Sequence, residues 1–155
     1  MLNGERVDTV PVWMMRQAGR HLPEYRETRA KARDFLDFCY TPSLAAEATL
    51  QPVRRYGMDG AILFADILLI LDAMGRNVRF LEGEGPRVDP ATKASDLSKV
   101  PMEKILAHLA PVGETVERVR AALDSSTTLI GFAGSPWTVG VYAIEVRGGT
   151  DKADS

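Results

Sequence analysis

Three short runs of β-branched, aliphatic and aromatic residues, at 10–15, 58–64 and 127–132, constrain this chain more than any other feature. Each is followed by helix-forming sequence long enough to cross over a sheet, and strands that alternate with helices build a parallel α/β architecture. The pattern by itself leaves a barrel and an open sheet both open. Pro11 is tolerable in the first run because it sits near the strand start. Residues 24–40, charged but with Phe35, Leu36, Phe38 and Cys39 clustered, predict short helices. Thr41-Pro42 predicts a helix start, with a bend at Pro52 and a stop at Gly57. A helix over 67–74 should end at Gly75, and a hairpin should pair 77–80 with 87–89. A short helix over 98–109 should stop at Pro111. Val112, Val116, Val119 and Leu123 then recur at intervals of 4, 3 and 4, the mark of an amphipathic helix covering a sheet. Gly134-Ser135-Pro136 should turn the chain into a last helix near Trp137.

The chemistry-bearing residues follow the strand-like runs. The first run ends in Arg16 and Arg20, and Gly19 and Pro23 break any regular element there, so both arginines belong to a loop. Two guanidinium forks fixed on such a loop suit a polyanion; the plainer alternative is two exposed arginines solvating a surface. Asp66 stands just past the second run, either as a functional carboxylate or as a cap on the helix starting at Ile67. A net charge of −2 argues against nucleic acid as a partner. The 14 arginines against 5 lysines favour forked carboxylate recognition. The most apolar stretch, 61–74, is interrupted by Asp66 and Asp72 and is too short to span a bilayer, so no membrane association is expected. No export signal precedes the first run, and the single Cys39 allows neither an internal disulfide nor a thiol-rich metal site, which fits the cytoplasm. Neither glycine-rich stretch, near 83 or near 131, completes a nucleotide-binding fingerprint.

The words of the sequence narrow this further. Pro11-Val12-Trp13-Met14-Met15-Arg16-Gln17-Ala18-Gly19-Arg20, followed by Leu22-Pro23-Glu24-Tyr25-Arg26, resembles the N-terminal signature of the uroporphyrinogen decarboxylase family. The resemblance continues in order at Thr41-Pro42, at Leu50-Gln51-Pro52, at Ile62-Leu63-Phe64-Ala65-Asp66-Ile67-Leu68, at Glu82-Gly83-Glu84-Gly85-Pro86 and at Gly131-Phe132-Ala133-Gly134-Ser135-Pro136-Trp137-Thr138. His21 stands where the family usually has tyrosine, and Ala65 where it has serine.

The resemblance implies a (β/α)8 TIM barrel, a fold of about 250 residues. Residues 1–155 would then be the N-terminal part of one barrel domain, a fragment with about three strands and their helices. It implies a substrate-binding segment of Arg16, Gln17, Ala18, Gly19 and Arg20, a key carboxylate in Asp66 and a site tyrosine in Tyr142, with Asp66, Arg16 and Arg20 as the catalytic set. Tyr142 lies among apolar residues and has an ordinary core role as its alternative. His21 and His108 are not promoted to the site; His108 reads as a surface or packing residue. The implied reaction removes carbon dioxide from the four acetate side chains of uroporphyrinogen III, giving coproporphyrinogen III without a cofactor, in an enzyme that is a homodimer when complete. The fragment alone is expected to be inactive. Two rivals remain: a zinc-dependent cobamide methyltransferase of the same superfamily, and a truncated product that binds tetrapyrroles or a partner without turnover.

Overall fold

A computed structural model describes residues 8–14, 19–81, 85–97 and 99–145. Helix α1 (Pro23–Arg29) opens with proline at its first turn, carries Glu24 at its positive end and finishes with Arg26 and Arg29 at its negative end. Helix α2 (Phe35–Tyr40) is capped by Asp34, whose Oδ1 accepts from the Asp37 N–H at 2.8 Å. Helix α3 (Pro42–Tyr56) again starts on proline and ends where Gly57 turns left-handed at φ +63°. Thr41 precedes it without capping it: the hydroxyl donates instead to the Asp37 carbonyl at 2.7 Å, which ties α2 to α3. Pro52 lies inside α3 and does not end it.

Strand β1 (Gly60–Ile62) leads to the short helix α4 (Leu69–Ala73), which Gly75 terminates at φ +75°. A hairpin follows, β2 (Arg79–Leu81) antiparallel to β3 (Gly85–Arg87), with Phe80 opposite Pro86. Helix α5 (Met102–Ala122), strand β4 (Thr128–Ile130) and helix α6 (Pro136–Ile144) complete the described chain. The Ser135 side chain accepts from the Thr138 N–H at the start of α6.

Strands β1 and β4 pair in parallel, Gly60 opposite Thr128 and Ile62 opposite Ile130. On the far side of β1 the Asp59 N–H donates to the Val12 carbonyl at 3.1 Å, while the Asp59 carboxylate accepts the Val12 N–H at 2.7 Å. The chain order is therefore 10–14, β1, β4 across the layer. The strand expected at 10–15 is not formed within its described part, 10–14, where Pro11 has no donor and the Asp59 side chain takes the Val12 N–H; Met15 lies outside the described residues.

Side chains alternate across a strand, and Ala61 and Leu63 share the face that meets the helices. They pack with Ala46 of α3 and with Val119 and Leu123 at the α5 end of the layer. A second cluster joins Leu22, Tyr25, Phe38 and Ala48, with Phe64 against it; a third joins Leu68 and Leu71 to Val78, Val88 and Ala143.

Helix α5 corrects three expectations. It is one 21-residue helix with Pro111 inside it, where two helices separated by that proline were expected. Its covered face, Ile105, Val112, Thr115 and Val119, keeps helical spacing straight through Pro111, so packing against α3 and α4 favours continuity over the break. The lost bond would have ended on Ala107, which is exposed, so solvent can replace the missing donor. Val116, expected on the buried face, is exposed. The helix also begins at Met102, after Pro101, rather than at 98, which lies outside the described residues.

His108 does more than pack. Its Nε2 lies 2.8 Å from Asp72 Oδ2, and Tyr40 donates its hydroxyl to the same oxygen at 2.9 Å. One carboxylate thus ties α2, α4 and α5, and burial together with that charge pushes the Tyr40 phenol well above its ordinary range.

Candidate functional site

Parallel α/β folds place ligands where strands leave the sheet at their carboxyl ends. Three exits lie in sequence across this layer: the segment ending at Met14, the chain after β1, and the chain after β4.

The first exit leads to the arginine loop. Arg16, Gln17 and Ala18 lie outside the described residues. Gly19 is buried and holds φ +34°, a backbone angle that side chains disfavour, and its carbonyl accepts from the Leu22 N–H at 2.8 Å. Arg20 is exposed, and its carbonyl accepts from Arg26 Nε at 3.4 Å. Just behind it Tyr25 is buried, its ring edge-on to Phe38 at 5.7 Å and to Phe64 at 6.0 Å.

The second exit carries Asp66. Backbone pairing to β4 runs through the Leu63 N–H, which donates to the Ile130 carbonyl at 3.0 Å. The Phe64 N–H then turns to α3 and donates to Thr49 Oγ1 at 2.9 Å. Two residues later the Asp66 Oδ1 accepts from the Leu68 N–H at 2.8 Å, a side-chain turn that sets up α4. The helix itself starts at Leu69 with Leu68 in the cap position, so Asp66 shapes the turn before α4 rather than capping it. Burial raises the Asp66 pKa above the ordinary carboxylate value; the Leu68 N–H and the positive charge of Arg20 act in the opposite direction. No direct ion pair joins Arg20 and Asp66 among the described residues, but the field of the arginine reaches both Asp66 and Tyr25. The Asp66 charge in turn reaches Cys39, whose thiol is pushed up to about 12, chiefly by burial.

The third exit presses against the second. A Cβ added to Gly134 would lie 2.6 Å from Val139 Cγ2, 3.1 Å from Ile67 Cβ and 3.2 Å from the Ile67 carbonyl oxygen. Only glycine lets the chain after β4 come this close to the residue following Asp66. Tyr142, on α6, packs half-buried against the cluster of Leu68, Leu71, Val78 and Val88. The described structure thus brings Gly19, Arg20 and Asp66 to neighbouring exits and sets Tyr142 into the apolar layer behind them.

Sequence reasoning missed Thr49, Phe64, Tyr25 and Gly134 as parts of this arrangement. Thr49 directly precedes Leu50-Gln51-Pro52 and gives no signal as a mid-helix threonine; Gly134 was legible only as a turn residue. Among the described residues, no group of three or more His, Cys, Asp or Glu side chains gathers as a metal cluster, and no helix is long and apolar enough to cross a membrane.

Comparison with known proteins gives this geometry a family. The sequence profile described as uroporphyrinogen decarboxylase (URO-D) matches residues 1–154. A uroporphyrinogen decarboxylase of Hyphomonas neptunium is 70% identical over 152 residues, 98% of this chain and 44% of its own. One from Sinorhizobium fredii is 58% identical over 153 residues, 99% of this chain and 44% of its own. The chain therefore spans less than half the length of the curated relatives it matches. A solved methyltransferase from Methanosarcina mazei superposes with a TM-score of 0.68 over 94% of this chain and 43% of its own, at 22% identity, a likeness of fold alone.

Proposed function

The chain belongs to the uroporphyrinogen decarboxylase family, and its β1–β4 layer with covering helices is the N-terminal portion of a (β/α)8 barrel; on that premise we propose that it supplies the substrate-gripping loop and the key carboxylate of an enzyme that decarboxylates uroporphyrinogen III to coproporphyrinogen III. One observation carries the reading: a carboxylate withdrawn from solvent at the exit of the central strand, held by a backbone N–H, within the field of an arginine on the adjoining exit.

The substrate is a flexible ring of four pyrroles bearing acetates and propionates. Arg16 and Arg20 clamp carboxylates as planar forks, and Ala18 and Gly19 carry no bulky side chain to keep a carboxylate from the loop backbone. Protonation of a pyrrole carbon makes the ring an electron sink. The bond between the acetate methylene and its carboxylate then breaks, carbon dioxide leaves, and the electron pair flows into the ring; protonation of the methylene and loss of the proton first added to the ring carbon restore the pyrrole and leave a methyl group. The ring itself supplies the sink, so this chemistry asks for no cofactor. Asp66 faces the pyrrole N–H groups and stabilises the positive charge as it develops. At about 4 Å and an effective dielectric near 20 that attraction is about 4 kcal/mol, roughly a thousandfold in rate if realised only in the transition state. Tyr142, on the helix that follows the third exit, contributes to binding in this reading. The complete enzyme is a cytoplasmic homodimer in this reading, and the 155 residues alone do not turn over.

The arginine pair provides the test. In a full-length chain carrying these residues, Arg16→Lys and Arg20→Lys should each impair turnover on uroporphyrinogen III, because an ammonium cannot reproduce a bidentate fork. Wild-type kinetics in both variants would return these residues to the role of surface arginines.

A further inference from the structure

Where the strand that delivers Asp66 leaves the sheet, a hydroxyl on α3 holds its backbone. Thr49, on α3, is 3% exposed. Its Oγ1 donates to the Ala45 carbonyl one turn back at 2.8 Å, which fixes the rotor and leaves a lone pair for the Phe64 N–H at 2.9 Å. Phe64 is the first residue beyond the backbone pairing of β1 with β4, so no strand holds it in the described structure. Its ring is gripped as well, tilted against Phe38 at 4.6 Å and edge-on to Tyr25 and Phe35, each at 6.0 Å. Asp66 follows two residues later, and Gly134 closes against Ile67 from the opposite side. The carboxylate, which accepts from the Leu68 N–H, therefore sits on a segment held at one side by a hydroxyl on α3 and at the other by a glycine after β4.

We propose that Thr49 is a positioning residue, which sets the Asp66 carboxylate at its working place by holding the Phe64 N–H. This rests on the reading of Asp66 given above. Displacement of a reacting group by about 1 Å can cost about 10²-fold in rate. Among the described residues the Thr49 hydroxyl is the partner of the Phe64 N–H, two residues before Asp66, so its loss lets the strand exit shift by that order. The aromatic contacts hold the Phe64 side chain, and the Thr49 hydroxyl holds its peptide N–H.

The test compares Thr49→Val and Thr49→Ala, which lack the hydroxyl, with Thr49→Ser, which keeps it, all in a full-length chain carrying these residues. The expected result is a fall in the single-turnover decarboxylation rate of about tenfold or more in the hydroxyl-free variants, with KM within about twofold, and recovery in Thr49→Ser to within about threefold of the wild type. A purely structural threonine would lower the melting temperature and leave the rate per folded molecule unchanged. A rate in either folded hydroxyl-free variant within about twofold of Thr49→Ser overturns the proposal. Asp66→Asn is measured alongside. If it is slow while Thr49→Val is normal, only the positioning role fails; if Asp66→Asn itself reacts at the wild-type rate, the reading of Asp66 fails and the positioning role falls with it.

Discussion

Asp66 and Asp96 are both withdrawn from bulk water, and their surroundings move them in opposite directions. At Asp66 desolvation dominates and raises the carboxyl above its ordinary value near ~3.9. The folded state then holds its proton more tightly than the unfolded chain does, so stability falls as pH climbs from ~4 through the raised value. At Asp96 the Lys99 ammonium, 2.8 Å away, and the Thr92 N–H and hydroxyl, each at 3.1 Å, hold the carboxyl well below that value. Stability from Asp96 is present above ~4 and is lost as pH falls through the depressed value. Two variants should therefore behave as mirror images. Asp66→Asn keeps an acceptor for the Leu68 N–H while removing the buried charge, so it should melt at or above the wild type near neutral pH, with the gain vanishing in acid. Asp96→Asn should melt lower near neutral pH and converge with the wild type in acid. Thermal melts of both across the acid range check the signs, and a neutral-pH loss in Asp66→Asn would show that its carboxylate serves the fold.

At the scale of elements, what the sequence revealed and what it hid differ by the range of the interaction responsible. Thr41-Pro42 and Gly57 marked the bounds of α3 because a proline at the first turn and a left-handed glycine act within a few residues. The hairpin was similarly local, although its strands lie at Arg79–Leu81 and Gly85–Arg87 rather than at 77–80 and 87–89. Pro111 misled because a breaker is a local signal, whereas the face that carries α5 through it packs on α3 and α4, far along the chain. The segment 10–14 misled in the opposite way: its composition is that of a strand, but strands form by pairing, and the Asp59 side chain occupies the donor that a ladder needs. Thr49 and Gly134 were hidden for the same reason as α5, since their partners Phe64 and Ile67 are remote in sequence. If packing outweighs the breaker in α5, removing the breaker should show a gain. Pro111→Ala restores a donor to the ladder and relieves the clash with the preceding turn, so it should stabilise the fold by on the order of 1–3 kcal/mol. Urea unfolding measures this, and an unchanged or lower midpoint would mean that the proline ring itself contributes packing.

On the scale of the whole molecule, the layer order of 10–14, β1 and β4 follows chain order, as neighbouring strands of a barrel do, and of the candidate groups the described residues Gly19, Arg20 and Asp66 follow the exits at one end of it. Ile130, Phe132 and Trp137 remain exposed on β4 and just after it, Trp137 at 83%. Apolar surface of this kind is what a sheet presents where further structure packs against it. The fold class and the placing of Asp66 at a strand exit were legible because the strand-like runs and their punctuation are local. The closeness of the exits was not, because it depends on how β1 and β4 pair. The central claim is that Asp66 works on the reacting ring. Single-turnover decarboxylation of uroporphyrinogen III by a full-length chain carrying these residues, wild type against Asp66→Asn, tests it most directly. The account predicts a normally folded Asp66→Asn variant whose first acetate loss is slowed roughly a thousandfold; a normally folded variant that loses the first acetate at the wild-type rate would contradict it.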